Sequence, residues 1–163
     1  LSEPLAAGQS DGELNCGLRF LSVGVPQAAV VNTATLTLNV MAIVGSPNTT
    51  FYGVKVSSAS TWSYPGNPPS TQPRTTASVA GPTSTGVKTI NITAIVQEII
   101  NQGAWSSGNN LALICDDNVG SGTNAWQAED YADPGTAEAI LDVDYSVAGT
   151  ARPRSLLTMG VGS

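Results

Sequence analysis

The segment 34–44, ATLTLNVMAIV, opens with a strict alternation of apolar and polar side chains. In an extended chain the two kinds of side chain point to opposite faces, with Leu36, Leu38 and Val40 on one and Thr35, Thr37 and Asn39 on the other. A helix would place the same apolar residues on several sides, so the period of two predicts a β-strand with one buried face. This prediction constrains the fold strongly, because a half-buried strand needs partner strands and a second layer against its apolar face.

Seven more segments carry strand patterns, and turns rich in glycine, proline, asparagine and serine separate them. They cover residues 14–20, 50–58, 75–80, 87–92, 109–117, 124–131 and 137–146. Residues 23–33, which contain Pro26, are predicted to form a loop, because proline removes a hydrogen-bond donor from a strand. Many short strands spaced by roughly ten residues are typical of an all-β fold, an antiparallel β-sandwich or jelly roll.

The period changes once, in the segment TAIVQEIINQG that starts at Thr93. Its apolar residues recur at the spacing of one helix face, so one short helix is predicted to cover an end or side of the sandwich. Thr93 is the expected N-cap, and Gly103 is the expected residue just after the C-terminal end. The predicted buried face consists of Ile95, Val96, Ile99 and Ile100.

The charge of the chain argues against several classes of function. Only 11% of the 163 residues are charged, and the net charge is −6, with six lysines and arginines in all. Binding to phosphates needs clustered basic residues, so we expect no nucleic-acid partner. No run approaches the roughly 18 apolar residues of a transmembrane helix, so we expect no membrane insertion. The chain also lacks histidine, the commonest general base and metal ligand, and we predict that it is not an enzyme and has no cofactor.

The sequence contains two cysteines, Cys16 and Cys115, which are too far apart for a zinc motif. On alternation, Cys16 shares a face with Leu18, and Cys115 shares a face with Leu113, so both are predicted to point into the core. Two interpretations stay open at this point. Either both are buried free thiols, which behave as small apolar side chains, or they form a disulfide that closes a loop of about 100 residues.

Four aromatic residues beside predicted turns form a candidate ligand platform: Trp62, Tyr64, Trp126 and Tyr131. Exposed rings stack on the apolar faces of sugars while neighbouring polar groups bind the hydroxyls. Trp62 and Tyr64 lie in STWSYPGNPPSTQPR, a proline-rich segment that is predicted to be a surface excursion. The alternative is that Trp62 and Tyr64 anchor their own loop, and that Trp126, at a strand position, is part of the core.

The acidic segment CDDNVGSGTN, residues 115–124, is a candidate for a calcium site. Asp116, Asp117 and Asn118 offer the oxygen ligands that calcium prefers, although the spacing of an EF-hand is absent. Aspartate, asparagine and glycine are also the ordinary residues of a hairpin turn. The turn is the simpler interpretation, so no metal ion is firmly predicted.

The last predicted strand ends at Ser146, and residues 147–163 follow it as a separate segment. Gly149 and Pro153 prevent a continuous helix there. Burying one leucine-sized side chain stabilises by about 1.5–3 kcal/mol, so this segment gains by docking on its own sandwich or, as we favour, on a neighbouring subunit. The alternative is a disordered terminus, which is common at chain ends. We predict a sandwich domain over 1–146 and an assembly arm over 147–163, whose docking residues are Arg152, Arg154, Leu156, Leu157, Met159 and Val161.

The order of five segments resembles the DNRLRE-type β-sandwich modules. These segments are LRFLSVGVPQAAVVNTATLTLNV, STW, INITAIVQEIINQG, NNLALICDDNVGSGTNAWQAEDYADP and ILDVDY. Such modules occur in secreted polysaccharide-active proteins, in cell-surface proteins and in structural proteins of tailed phages. The family usually has more sequence before LRF, so an N-terminal strand is expected either to be missing or to lie outside this chain.

The resemblance implies a jelly-roll-like module without catalysis. Together with the low charge and the apolar arm, it predicts a structural module of an extracellular assembly, namely a decoration, cement or appendage protein of a phage virion. Its partners would be copies of itself or other virion proteins. The alternative function is that of a carbohydrate-binding module of a secreted or cell-surface protein, which would bind polysaccharide through the aromatic platform.

Overall fold

The computed structural model of the chain describes residues 16–63, 66–117, 124–129 and 139–147, and residues 5–9 by their backbone. In that part of the chain there are nine strands, one α-helix and a short 3₁₀ turn at Pro69–Thr71. In chain order the strands and the helix are β1 (Leu5–Gln9), β2 (Cys16–Phe20), β3 (Val30–Val44), β4 (Thr49–Val54), β5 (Arg74–Ala80), β6 (Gly86–Asn91), α1 (Thr93–Ile100), β7 (Leu111–Asp117), β8 (Asn124–Ala128) and β9 (Ile140–Ser146).

The strands form two antiparallel sheets. The five-stranded sheet has the order β1-β8-β3-β6, with β9 also paired to β3, and the four-stranded sheet has the order β2-β7-β4-β5. Because β6 and β9 pair with overlapping stretches of β3, they lie on its opposite edges. The prediction of an all-β antiparallel sandwich with one short helix is confirmed.

The core lies between the two sheets and is filled by their inward-facing apolar side chains. β3 contributes alternate residues to it, as its period of two predicts. Helix α1 contributes all four of the residues that were predicted to be its buried face. The large side chains at the centre of this core are Leu36, Leu38, Phe51, Ile95, Ile99, Trp105, Leu111, Leu113 and Trp126.

The ends of the helix differ from the prediction. Thr93 is the first helical residue rather than the N-cap, which is Ile92, and the Thr93 hydroxyl accepts a hydrogen bond from the Ala34 amide at 2.9 Å. That bond joins the start of the helix to β3 instead of satisfying an amide of the helix itself. The helix ends three residues before Gly103, with Asn101 as its C-cap. The Thr93 prediction is wrong because a local pattern does not show which distant backbone groups compete for the same side chain. The Gly103 prediction is wrong because the helix has already ended at Ile100.

Strand β3 begins at Val30, so the prediction of a loop over 23–33 is wrong in its last part. The additional strand residues pair with the end of β9, where Val30 lies opposite Ser146. A bulge between Val31 and Thr33 interrupts the period of two. The bulge shifts the alternation by one residue, and the sequence pattern therefore does not reveal this part of the strand.

Most other predicted strands are present with shifted ends. β4 ends at Val54, four residues early, and β7 begins at Leu111, two residues late. β8 ends at Ala128 and β9 begins at Ile140, whereas residues 130–138 between them lie outside the described residues. β1 lies among the residues before the LRF segment, where no strand was predicted, and it pairs with β8.

Candidate functional site

Trp126, one of the four residues of the predicted ligand platform, lies in the core. It is in the middle of β8 and 0% exposed, and its ring centre is 5.9 Å from that of Phe51. Its indole Nε1 donates a hydrogen bond to the Thr49 hydroxyl at 2.9 Å, so its polar edge is satisfied inside the protein. The prediction that Trp126 belongs to a ligand platform is therefore wrong, and the alternative, a core residue, is confirmed. A strand position that faces the second sheet buries its side chain even when turns lie close in sequence.

Trp62 is half-buried and packs on the outer face of the four-stranded sheet. Its ring occupies the space above Gly17 of β2, where an added Cβ would lie only 2.7 Å from the indole Cε2. Its Nε1 is sealed from solvent without a hydrogen-bond partner. These contacts support the alternative interpretation, in which Trp62 anchors its own loop. The side chains that share this small outer cluster with it are Val54, Val56, Ala59, Ala112 and Ile114.

The described residues between β4 and β5, 55–63 and 66–73, form an excursion that carries Trp62 onto this outer face. The excursion is closed at its base, where the Lys55 amide donates to the Pro73 carbonyl at 2.8 Å. Arg19 of β2 donates from Nε to the Ala59 carbonyl at 3.0 Å, so the sheet also holds the excursion by a side chain. The prediction of a surface excursion in the proline-rich segment is confirmed.

The four predicted platform residues are not brought together as a set. The four-stranded sheet separates Trp62 from Trp126, because one ring lies on its outer face and the other lies between the two sheets. Tyr64 and Tyr131 lie outside the described residues, and their part in a platform stays a prediction.

The acidic segment begins inside a strand rather than in a loop. Asp116 and Asp117 are the last residues of β7, so their side chains point to opposite faces of the sheet. Asp116 forms an ion pair with Arg74 of β5, and the Arg74 guanidinium lies 5.3 Å from the centre of the Tyr52 ring. Asn118 lies outside the described residues. Within the described ranges no three acidic or cysteine side chains are grouped closely enough to hold a metal ion. Calcium binding stays the less favoured interpretation of this segment, after a hairpin turn.

The outer face of the five-stranded sheet combines threonines with exposed apolar side chains. We define this face by Thr35 and Thr37 of β3, Val87 and Thr89 of β6, and Ile140 and Asp142 of β9. Thr37 pairs with Thr89 on one side and with Ile140 on the other, so these three residues form one row across the sheet. Val87 is 66% exposed and Ile140 is 55% exposed. Neither side chain is therefore covered by another described part of the chain.

Negative charge borders this outer face on the β9 side. Asp142 and Asp144 are exposed and lie on the same side of their strand as Ile140. Two more apolar side chains, Met41 and Val44 near the end of β3, are 47% and 46% exposed. The surface therefore presents exposed apolar side chains with carboxylates beside them.

Sequence reasoning missed this face, although the sequence contains a signal for it. Ile140 falls on the same side of its strand as two aspartates, and Val87 falls on the same side as Thr89 and Asn91. Single exposed apolar residues are common on protein surfaces. Only the register, which places Val87 and Ile140 on either side of the same stretch of β3, shows that they belong to one surface.

Comparison with known proteins does not identify a family for this chain. No family model matches the sequence. No curated protein matches it significantly. The resemblance to the DNRLRE-type modules therefore stays a prediction. Among the described residues, no helix has the length and apolar character that crossing a membrane requires.

Proposed function

We propose that the chain is a non-enzymatic structural module that joins subunits of an extracellular assembly. In this proposal the arm over 147–163 of one copy docks on the outer face of the five-stranded sheet of a second copy. The observation that carries the proposal is the exposure of Val87 and Ile140 in that face. Withdrawing apolar surface from water is favourable by about 25 cal/mol per Å², and an assembly contact would withdraw both side chains.

The charges of the two surfaces are complementary. The arm carries Arg152 and Arg154, and the β9 side of the outer face carries Asp142 and Asp144. Pairs of opposite charge at the rim of an interface orient the partners more than they add affinity. The apolar residues of the arm would supply the affinity, and the arginines would set its register.

The point at which the arm leaves the sheet favours a second copy over self-docking. Val147 follows the end of β9 that pairs with Val30 at the start of β3, whereas Val87 pairs with Asn39 near the other end of β3. An arm that leaves at one end reaches the exposed apolar side chains of its own face only by reversing direction. Fully extended, the 16 residues after Val147 would span at most about 55 Å, which is enough to reach a neighbouring sandwich.

The resemblance implies that such a module lies on the surface of a phage virion. There it would be a decoration, cement or appendage protein. A role without catalysis is supported by the lack of histidine in the sequence. The alternative, carbohydrate binding, is weakened because Trp126 is a core residue and Trp62 is packed against Gly17.

The oligomeric state tests this proposal. Absolute mass is measured by light scattering on a sizing column for the full chain and for a chain that ends at Val147. We expect the full chain to be a trimer or another closed oligomer and the shortened chain to be a monomer, because the latter has lost the arm. If both chains are monomers, the proposal that the arm mediates assembly is wrong.

Two matched variants test the docking face within the full chain. Val87→Glu places a charge in the proposed docking face, whereas Leu21→Glu places one at a side chain of nearly equal exposure outside it, 63% against 66%. We expect the Val87→Glu chain to be a monomer and the Leu21→Glu chain to keep the oligomer. An oligomer in both variants would mean that the arm docks elsewhere.

Tryptophan fluorescence tests the alternative function, carbohydrate binding. Trp105 and Trp126 are 2% and 0% exposed, so a soluble polysaccharide can quench directly only the fluorescence of Trp62. Quenching that saturates with polysaccharide concentration and disappears in the Trp62→Phe variant would favour carbohydrate binding over assembly.

A further inference from the structure

Cys16 and Cys115 lie directly opposite each other in the pair of strands β2 and β7. Both side chains face the core, and their exposed fractions are 6% and 0%. The sequence places them about 100 residues apart, and the antiparallel register brings them to adjacent positions. Neither is bonded to another cysteine in this structure.

The register meets the Cα separation that a disulfide requires. Opposite residues of an antiparallel ladder have their Cα atoms about 4.5 Å or 5.5 Å apart, depending on whether the pair exchanges backbone hydrogen bonds. Disulfides span Cα separations of about 4.4–6.8 Å, so both kinds of position fall within the range. The two side chains also lie on the same face of the sheet, at directly opposite positions, and both point into the core.

We propose that Cys16 and Cys115 form a cross-strand disulfide when the chain folds in the presence of a disulfide oxidant. The oxidant is a small disulfide such as oxidised glutathione, or the disulfide of a thiol oxidoreductase. The two protein thiols lose two electrons and two protons, and the bond between their sulfur atoms forms. The sulfur–sulfur bond of the oxidant breaks, and its two sulfur atoms take up the electrons and protons as thiols.

The burial of the pair determines when the reaction takes place. The hydrogen bond with Cys115 and the desolvation of the thiol raise the pKa of Cys16 well above its usual value. Thiol–disulfide exchange needs a thiolate and access to it, whereas the folded protein disfavours the Cys16 thiolate and buries both thiols. The disulfide therefore forms while the chain folds, and the folded reduced protein oxidises slowly.

The disulfide would hold an edge strand in place. β2 is the first strand of the four-stranded sheet and pairs only with β7 in the described part of the chain. Gly17, next to Cys16, is the residue on which Trp62 rests. The bond would therefore fix both the edge of the sheet and the base of the Trp62 contact, independently of the assembly proposed above.

Refolding under two redox conditions tests this proposal on the full chain. The chain is unfolded in denaturant with reductant and refolded either in a mixture of oxidised and reduced glutathione or with reductant alone. We expect no alkylatable thiol after oxidative refolding, and one cross-linked peptide joining the two cysteines by mass spectrometry. We also expect the Tm to rise by about 10 °C over the reduced protein, because the disulfide closes a loop of about 100 residues.

The variants Cys16→Ala and Cys115→Ala are the matched controls. Each lacks one partner, so its Tm should be the same under both refolding conditions. Two free thiols, a mixed disulfide with glutathione or a disulfide-linked dimer as the main product of oxidative refolding would overturn the proposal. Rapid oxidation of the folded reduced protein by the same mixture would overturn the order of folding and bond formation.

Discussion

The contact between Trp62 and Gly17 is a single-residue feature on which the packing of the excursion depends. A Cβ added at Gly17 would lie 2.7–2.9 Å from three atoms of the indole, closer than carbon atoms approach without displacement. We expect Gly17→Ala to lower the free energy of unfolding by about 1–3 kcal/mol, because the ring must move from its site over β2. Chemical denaturation measures this change, and the matched control is Gly24→Ala, where no atom lies within 4 Å of the added Cβ.

A double-mutant cycle shows whether the ring is the cause. In a Trp62→Ala background the added methyl group has no indole to displace. Gly17→Ala should therefore leave the free energy of unfolding nearly unchanged in that background. Residues in contact show such non-additivity, whereas independent residues do not. Additive costs would mean that Trp62 does not rest on Gly17, and the ring would again be available as part of a ligand platform.

At the scale of secondary-structure elements, Glu98 connects helix α1 to β5 through hydrogen bonds. Its two carboxylate oxygens accept hydrogen bonds from the amides of Thr76 and Ala77 at 3.0 and 2.9 Å, and Lys55 lies 2.8 Å from one of them. Partial desolvation opposes ionisation of this carboxyl group. The hydrogen bonds and the lysine together outweigh it and lower the pKa of Glu98 from 4.5 to about 2. The folded protein therefore favours the ionised form.

This lowered pKa predicts a pH-dependent stability. The contribution of Glu98 is fully present above about pH 4.5 and is lost as the pH falls through about 2, because the folded state then binds the proton that the unfolded state has already taken up. We expect Glu98→Gln to lower the free energy of unfolding by about 1–3 kcal/mol at pH 7, since an amide has one acceptor oxygen for two backbone amides. The variant and the unmodified chain should have the same free energy of unfolding near pH 2. Chemical denaturation at a series of pH values measures this difference.

The variant Lys55→Met distinguishes the contribution of the ion pair to stability from that of the backbone hydrogen bonds to Glu98. The Lys55 side chain is 45% exposed, so removing it should cost at most about 1 kcal/mol. A larger loss from Lys55→Met than from Glu98→Gln would contradict the assignment of the main contribution to the backbone amides.

The sequence predicts elements well where their pattern is local and less well where a distant partner decides. The alternation in 34–44 and the helical spacing around Ile95 identify β3 and α1, because each pattern reflects one buried face. The first residues of β3 were missed because a bulge opposite β9 shifts the alternation. The role of Thr93 was missed because its hydroxyl serves the Ala34 amide, which is far away in sequence.

At the scale of the whole molecule, the two-layer architecture follows from composition and spacing, but the neighbours of each strand do not. β2 pairs with β7 and β1 pairs with β8, and nothing local to those segments specifies either pairing. The outer face of the five-stranded sheet and the opposition of Cys16 and Cys115 both depend on that register. The residues of both features could be predicted individually, but their juxtaposition could not.

Assembly through the arm would make the stability of the whole molecule depend on its concentration. A folded state that binds copies of itself gains stability by mass action, whereas an isolated sandwich does not. We expect the Tm of the full chain at pH 7 to rise by a few degrees for each tenfold increase in concentration, and the Tm of the chain that ends at Val147 to stay constant. Scanning calorimetry over a hundredfold concentration range measures both. Equal rising slopes for the two chains would show that contacts outside the arm hold the oligomer, and two flat lines would contradict assembly altogether.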